Sequence, residues 1–206
     1  MKIPKPLMNL MESFERLPGV GPKSAQRLSF YILKMPQVEV EKLSQSLIEV
    51  KEVIKYCEFC RNLDDISPCS LCENSLRIKN ILIVVSGALD VFSFEKVGYR
   101  GQYFVLHGNI DPLNNIGPDD LCIPLLIKRV KEILSSQESL EIVLATSTSL
   151  EGEATSMYIS KLLKEDISIS DKVKISRIAR GIPIGGDIEY ADDITLSKAF
   201  EGRSQF

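Results

Sequence analysis

Four of the five cysteines lie within sixteen residues, in a spacing that suits a metal site. They form two Cys-x-x-Cys pairs, Cys57 with Cys60 and Cys69 with Cys72, and eight residues separate the pairs. Four thiolates complete the tetrahedral shell of Zn²⁺ and leave no position for water or a substrate. The spacing therefore predicts one structural zinc ion per chain, with a redox pair or an iron–sulfur cluster as the alternatives.

The fifth cysteine and the single histidine have no partners at comparable spacing. Cys122 stands in an apolar run, where a buried free thiol is the expected state. His107 follows a predicted strand, and no serine or cysteine in an activating motif lies near it in the sequence. We therefore expect no nucleophilic triad.

A second segment with binding potential is 17–22, which holds two glycines and two prolines in six positions and must form a tight turn. Glycine has no Cβ, so Gly19 and Gly21 can take a positive φ and leave backbone N–H groups unobstructed. Such a turn, followed by a helix N-terminus, can bind a phosphate oxygen. Lys23 and Arg27 add positive charge four residues apart, on one face of the following helix.

The pattern over 17–28 is that of a helix-hairpin-helix, which contacts phosphates and so binds DNA with strong salt dependence and little sequence preference. A tight turn used only for packing or dimerisation is the alternative. The predicted DNA-binding residues are Gly19, Val20, Gly21, Lys23, Ser24 and Arg27.

Apolar spacing predicts the elements that position these residues. Helical spacing dominates the first third, including a third helix at 40–56, and beyond Asn80 short apolar runs alternate with helical segments. That alternation is typical of parallel strands joined by crossover helices. The predicted strands are 81–85, 103–106, 140–145 and 174–178, and the predicted helices between them are 88–97, 119–134 and 152–164.

Composition limits the classes of function. The chain has 206 residues, 44% of them hydrophobic, and a net charge of −3. Residues 1–80 carry twelve Lys or Arg against ten Asp or Glu, and 81–206 carry thirteen against eighteen, so DNA binding would have to be local. No apolar run has the length of a membrane span or a signal peptide. We expect a cytoplasmic protein without membrane contact.

The order of these features resembles the RecR family of bacterial recombination mediators over essentially the full chain. Further motifs that are similar to this family lie at 103–108, 111–121, 144–155 and 177–190. The resemblance implies an α+β multi-module protein with an α/β Toprim-like domain and a mostly parallel sheet. The implied domains are a helix-hairpin-helix region at 1–56, a zinc finger at 57–72, the Toprim-like domain at 80–175 and a Walker-like oligomerisation segment at 176–206.

The resemblance also implies a function without catalysis. Its members act in recombinational repair with RecO or RecF, load the recombinase at single-strand gaps, and form dimers or tetrameric rings. Toprim enzymes hold Mg²⁺ with a glutamate after the first strand and an Asp-x-Asp pair after a later one. Here Ser86 stands at the glutamate position, Asp90 lies a helical turn beyond it, and Glu151 and Glu153 replace the aspartates.

These replacements disfavour a two-metal site, so we expect no enzyme activity. A Mg²⁺-dependent Toprim nuclease or primase-like enzyme is the alternative, and a zinc-organised protein scaffold is another. For Glu151 and Glu153 the resemblance implies a docking surface for a basic partner, while a solvated helix N-terminus is the simpler possibility. No lysine follows Gly185 and Gly186, so a phosphate-binding P-loop is not expected there.

Overall fold

A computed structural model describes residues 3–203. The chain divides between Ile54 and Lys55 into two compact units. Residues 1–2 and 204–206, the outer ends of the first and last predicted domains, lie outside the described residues. None of the helices in the described part is both long and apolar enough to cross a bilayer.

The smaller unit contains three helices, α1 (Lys5–Glu15), α2 (Pro22–Lys34) and α3 (Gln37–Val53). Prolines stand in the first turns of α1 and α2, where their missing N–H groups cost no helical hydrogen bond. α1 and α2 pack against each other, and Met11, Ala25 and Ser29 are buried there. The prediction of three helices is therefore confirmed.

Helix α3 differs from its prediction in bounds and in surroundings. It begins at Gln37, directly after Pro36, and ends at Val53. Tyr56, predicted to be helical, belongs to a strand instead. None of the residues of α3 is buried. Its apolar face is instead exposed, at Val38, Leu43, Leu47, Ile48, Val50 and Val53.

The larger unit begins with a short lobe, residues 55–73, which contains the four cysteines and is called the zinc lobe. Strands β1 (Lys55–Tyr56) and β2 (Leu63–Asp64) pair antiparallel, and a one-turn helix, α4 (Ser70–Glu73), follows. Asp64 accepts hydrogen bonds from the backbone N–H and the hydroxyl of Ser70, both at 3.0 Å, and the first of these is the main cause that lowers the pKa of Asp64 to about 2. The core of this short lobe consists of its cysteines, with Phe59 and Leu71 packed against them.

A four-stranded parallel sheet organises the rest of the larger unit. Its strands are β3 (Ile81–Val85), β4 (Gln102–Val105), β5 (Leu140–Ala145) and β6 (Val173–Arg177), in the order β4-β3-β5-β6. Helix α5 (Ala88–Lys96) follows β3, α6 (Ile123–Leu134) precedes β5, and α7 (Leu150–Glu165) precedes β6. The predicted α/β architecture with a parallel sheet is confirmed.

Helices cover both faces of this sheet. Alternate residues of β3, such as Leu82 and Val84, pack with α6 and α7 on one face. Ile83 and Val85 pack with Val91 of α5 on the other. Because β3 is buried on both sides, its sequence is a continuous apolar run and not an alternating one.

The loop between β4 and α6 accounts for the largest error in the predicted helix bounds. Helix α6 was expected to start at Asp119 but starts at Ile123. Residues Pro118–Asp120 form a separate 3-10 turn, closed by the Asp120 carboxylate on the Gly117 N–H at 2.8 Å, and Leu121 is extended. Cys122 is free, as expected, but only partly buried against the core.

After β6 the chain forms a turn and a last helix, α8 (Asp193–Glu201). The Gly186 N–H donates to the Pro183 carbonyl at 2.9 Å, and Gly185 has a φ of +84°. Positive φ favours glycine, which gives this pair a turn-forming role. Large apolar side chains are exposed here, at Ile184, Ile188, Tyr190, Ile194 and Phe200.

Candidate zinc centre and nucleic-acid interface

The four predicted cysteine ligands come together at one point. Their Sγ atoms all lie within 4.8 Å of one another, and Cys57, Cys60 and Cys69 are buried. Sγ of Cys57 is 3.8 Å from that of Cys72, and Sγ of Cys60 is 3.4 Å from that of Cys69. Thiolates bound tetrahedrally to Zn²⁺ at about 2.3 Å stand about 3.8 Å apart, so the donor set fits zinc.

Backbone turns hold each thiol in place. The Arg61 N–H donates to the Cys57 carbonyl at 3.0 Å, and Arg61 has a φ of +61°. The Cys69 N–H donates to the Cys57 Sγ at 3.4 Å, which stabilises negative charge on that sulfur. A hydrogen bond between Cys60 and Cys69 lowers the pKa of Cys69 and raises that of Cys60. Bound zinc would hold all four as thiolates and fix the lobe.

The zinc lobe covers the edge of the parallel sheet. The Val105 N–H of edge strand β4 donates to the Cys60 carbonyl at 2.9 Å. The guanidinium carbon of Arg129, on α6, lies 4.9 Å from the centre of the Phe59 ring. The first Cys-x-x-Cys turn is therefore attached to the sheet, and its zinc stabilises more than its own loop.

His107 has a structural position that sequence reasoning missed. Its Nε2 lies 2.6 Å from the Arg61 carbonyl oxygen, and its ring packs edge-on against Tyr56 at 4.5 Å between centroids. His107 has a φ of +63°, and both of these ring contacts are with residues of the zinc lobe. No local pattern signals this contact because its partner lies 46 positions earlier in the chain.

The predicted hairpin lies between α1 and α2. Gly19 has a φ of +79°, whereas Gly21, with a φ of −85°, is the cap residue of α2, so only one glycine takes the positive φ expected of both. The Val20 N–H donates to the Leu17 carbonyl at 3.1 Å and so closes the turn. Val20 therefore shapes the hairpin, and its amide is already engaged there.

The first turn of α2 offers the free amides. In the described structure no side chain caps this helix. Pro22 has no N–H and the Ala25 N–H donates to the Gly21 carbonyl, which leaves the Lys23 and Ser24 amides at the positive end of the helix dipole. The side chains of Lys23, Ser24 and Arg27 are all exposed. A phosphate at this turn would meet two amides and two cations.

A different set of residues meets at the carboxyl ends of β3 and β5. The Ser86 hydroxyl donates to Oδ1 of Asn109 at 2.6 Å and accepts from the Ser147 N–H at 3.1 Å. Asp90 accepts from the Gly87 N–H at 2.8 Å and so caps α5. Ser86 thus joins two strand ends and an adjacent loop, and Asp90 does not take the place of the glutamate.

The two glutamates of α7 differ from each other. Both are half-buried, although they were expected to be exposed, and Glu153 alone forms ion pairs with Arg177 and Arg180. Glu151 pairs with neither arginine, and hydrogen bonding from the Ser149 hydroxyl is the main cause that lowers its pKa. The expectation of two exposed carboxylates is therefore wrong, since both are half-buried. No local pattern signals the ion pairs of Glu153, because its two arginines lie 24 and 27 positions later in the chain.

Between the glutamates, Gly152 permits a close approach. A Cβ on Gly152 would lie 2.1 Å from the carbonyl oxygen of Ser147, a distance that no side chain tolerates. The Gly152 carbonyl accepts from the Thr146 hydroxyl at 2.7 Å, and Thr146 also bonds to Ser156 at 2.6 Å. The start of α7 is thus locked onto the end of β5.

Family models match the described elements in the same order. Residues 7–51 match the RecR helix-hairpin-helix, and 54–74 match the RecR zinc finger domain with its four cysteines. Residues 80–179 match the Toprim domain, and 181–204 match the RecR C-terminal region. Together with the cysteine cluster, the second match confirms that the four cysteines form a site for one zinc ion. The chain belongs to the RecR family, a family of non-enzymatic mediators of DNA recombination and repair.

Proposed function

We propose that this protein binds DNA without sequence preference and mediates recombinational repair without performing chemistry on the DNA. In this role it works with RecO-like or RecF-like partners to load the strand-exchange recombinase at single-strand gaps, in the cytoplasm. The observation that carries the proposal is the start of α2, where free amides and exposed cations stand together. Family membership supports the same role.

The DNA contact is made through phosphates. Gly19, Val20 and Gly21 shape the hairpin, and Lys23, Ser24 and Arg27 present donors to the backbone. Such contacts carry no base information, so affinity falls with salt and varies little with sequence. A net charge of −3 does not oppose this, because screening confines charge effects to about 10 Å at ordinary ionic strength.

The Toprim-like domain acts as a docking surface. Two arginines already neutralise Glu153, so this carboxylate is not free to share a divalent cation. Ser86 offers a hydroxyl where Toprim enzymes have a carboxylate, and this hydroxyl is engaged with Asn109. Glu151 keeps its negative charge near the surface, where it attracts a basic segment of a RecO-like partner. Glu153, held in place by its two arginines, supports this surface. Such a contact mainly sets association rate and specificity.

Self-association supplies the avidity that one hairpin lacks. The apolar face of α3 is unpartnered within its own unit, and the C-terminal segment exposes several large apolar side chains. Burial of these faces between copies favours a dimer or a tetrameric ring. A ring would place several weak hairpins on one DNA molecule, which raises the overall affinity without new contacts.

Recombinase loading tests the mediator role. Gapped DNA coated with single-strand-binding protein is mixed with the recombinase and a RecO-like partner, and filament assembly is followed with and without this protein. Assembly should be faster with the wild type and not with the Lys23→Ala, Arg27→Ala double variant. Equal assembly rates in the presence and absence of the wild-type protein would refute the mediator role.

A further inference from the structure

We propose that the solvent face of α2 binds single-stranded DNA by stacking a base on Tyr31, beside the phosphate contacts of Lys23 and Arg27. This inference deepens the proposed DNA-binding function and rests on it. It adds a strand preference that phosphate contacts alone do not give. The residue that would set this preference, Tyr31, is 65% exposed.

Helical geometry places the aromatic ring in line with the cations. Lys23, Arg27, Tyr31 and Lys34 follow one another at steps of four, four and three residues, so they form one stripe along α2. The stripe is about 16 Å long at 1.5 Å per residue, enough for a few nucleotides. Ala25 and Ser29, buried against α1, lie on the opposite side of the helix.

A groove accompanies the stripe. It has a volume of about 660 Å³ and is lined by Ser24, Arg27, Leu28, Phe30, Tyr31 and Lys34. Cations therefore border aromatic and apolar surface along one shallow groove. That combination suits a nucleotide, whose phosphate is anionic and whose base presents a flat apolar face.

The positive charge of α2 favours nucleic acid as its binding partner over the same face of a second copy of the chain. Helix α2 carries Lys23, Arg27 and Lys34 and no acidic residue. A symmetric contact sets the same patch of two copies against each other, so it would bring six cations together. The exposed apolar face of α3 contains no aromatic residue, and this helix carries both acidic and basic side chains, so it is the better surface for self-association.

Stacking on Tyr31 requires an unpaired strand. Bases in a duplex are stacked on one another and do not present their faces, whereas bases of a single strand can turn out onto an aromatic ring. Phosphate contacts at the hairpin remain possible with either form. The stripe therefore favours the single-stranded part of a gapped molecule.

The test compares three fluorescent probes by anisotropy at fixed salt: an oligothymidylate, an abasic oligomer of the same length, and a duplex. Replacing a stacked aromatic ring lowers the affinity by about 5-fold to 150-fold per base. Tyr31→Ala should weaken oligothymidylate binding about tenfold and change abasic and duplex binding less than about twofold. Tyr31→Phe should retain affinity, and Tyr158→Ala, which removes an exposed tyrosine ring from α7, serves as the matched control.

A spectroscopic signature separates stacking from a structural effect. The sequence contains no tryptophan, so Tyr31→Trp introduces a single reporter. Its fluorescence should be quenched by oligothymidylate and not by the abasic oligomer. Equal loss for all three probes in Tyr31→Ala, an unchanged affinity for oligothymidylate, or a change in oligomeric state would overturn the proposal. Failure of the proposed DNA-binding function would give a different result. In that case the Lys23→Ala, Arg27→Ala variant would bind every probe with the affinity of the wild type.

Discussion

At the scale of single residues, the first turn of α2 illustrates what a sequence motif can and cannot specify. The glycines and prolines predict a tight turn, and the spacing of Lys23 and Arg27 predicts a shared exposed face. Local chemistry determines both features. The hydrogen bond that engages the Val20 amide depends on how the turn closes on Leu17, a detail the motif does not encode.

The double variant Lys23→Ala, Arg27→Ala should weaken binding to single-stranded and duplex DNA alike, because it removes two phosphate contacts. The slope of log affinity against log salt should fall by about one for each cation removed. Salt titration by anisotropy measures both effects. Lys42→Ala with Lys51→Ala removes the same charge from α3 and should leave the slope unchanged. A slope in the double variant equal to that of the wild type would show that DNA binds elsewhere.

Glu153 and Glu151 should respond differently to charge reversal. Glu153→Lys would place a third cation beside Arg177 and Arg180 and should lower the free energy of unfolding by about 1 to 3 kcal/mol. Glu151 pairs with neither arginine, so Glu151→Lys loses only its favourable position in the first turn of α7 and should lower the melting temperature less than Glu153→Lys does. Thermal unfolding of the two variants measures this. Equal melting temperatures would mean that the two ion pairs contribute nothing to stability.

The partner contact is therefore tested best with Glu151→Lys alone. This variant should slow association with a RecO-like partner and leave DNA binding by α2 intact, because charge at a rim contact mainly sets the association rate. Surface plasmon resonance or stopped-flow mixing gives the rate. An unchanged association rate would remove Glu151 from the docking surface.

At the scale of elements, the buried strands were the most predictable parts of the fold. Both β3 and β5 have their predicted bounds. β3 is a continuous apolar run because both of its faces are covered, and β5 is apolar at every position except Glu141. Helix α6 was predicted four residues too early because the acidic residues after Pro118 resemble a helix start. They form instead a separate 3-10 turn that Asp120 closes on Gly117.

Long-range contacts of the zinc lobe could not be predicted, because they join residues far apart in sequence. The bonds from Val105 to Cys60 and from His107 to Arg61 appear only when the sheet is formed. They give the zinc site a structural influence beyond its own sixteen residues. The cysteine spacing predicts the ligands and not this attachment.

Replacing Cys60 by Ser should lower stability more than it lowers DNA affinity per folded molecule. The zinc shell loses one thiolate, and the turn that holds edge strand β4 loosens. Calorimetry should show a lower Tm, and hydrogen exchange should show faster exchange of the Val105 amide. Metal analysis of the wild type should find one Zn²⁺ per chain. Iron in that analysis, or an unchanged Tm in the variant, would contradict the structural zinc site.

Helix α3 provides the test of self-association. Leu47 is 66% exposed on its apolar face, so Leu47→Glu should not disturb the core but should shift the assembly toward monomer. Sedimentation velocity measures the shift. Gln45→Glu adds the same charge to the same helix and serves as the control. An oligomer that survives Leu47→Glu unchanged would exclude this face as the interface.

At the scale of the whole molecule, the sequence reveals the order of the modules because each has local signals: a Gly-Pro turn, paired cysteines, and apolar runs at strand spacing. The ion pairs of Glu153 with Arg177 and Arg180 are not local, so the sequence does not reveal them. They are the contacts on which the proposal of a docking surface in place of a metal site rests.

The protein is proposed above all to hold DNA without cutting or joining it, and one measurement tests this most directly. Labelled gapped DNA is incubated with the protein with and without Mg²⁺ or Mn²⁺, and bound complexes and reaction products are resolved from the same sample. We expect salt-sensitive binding in every condition and DNA of unchanged length. Metal-dependent nicking, cleavage or joining that disappears when Glu151 and Glu153 are replaced by Gln would contradict it.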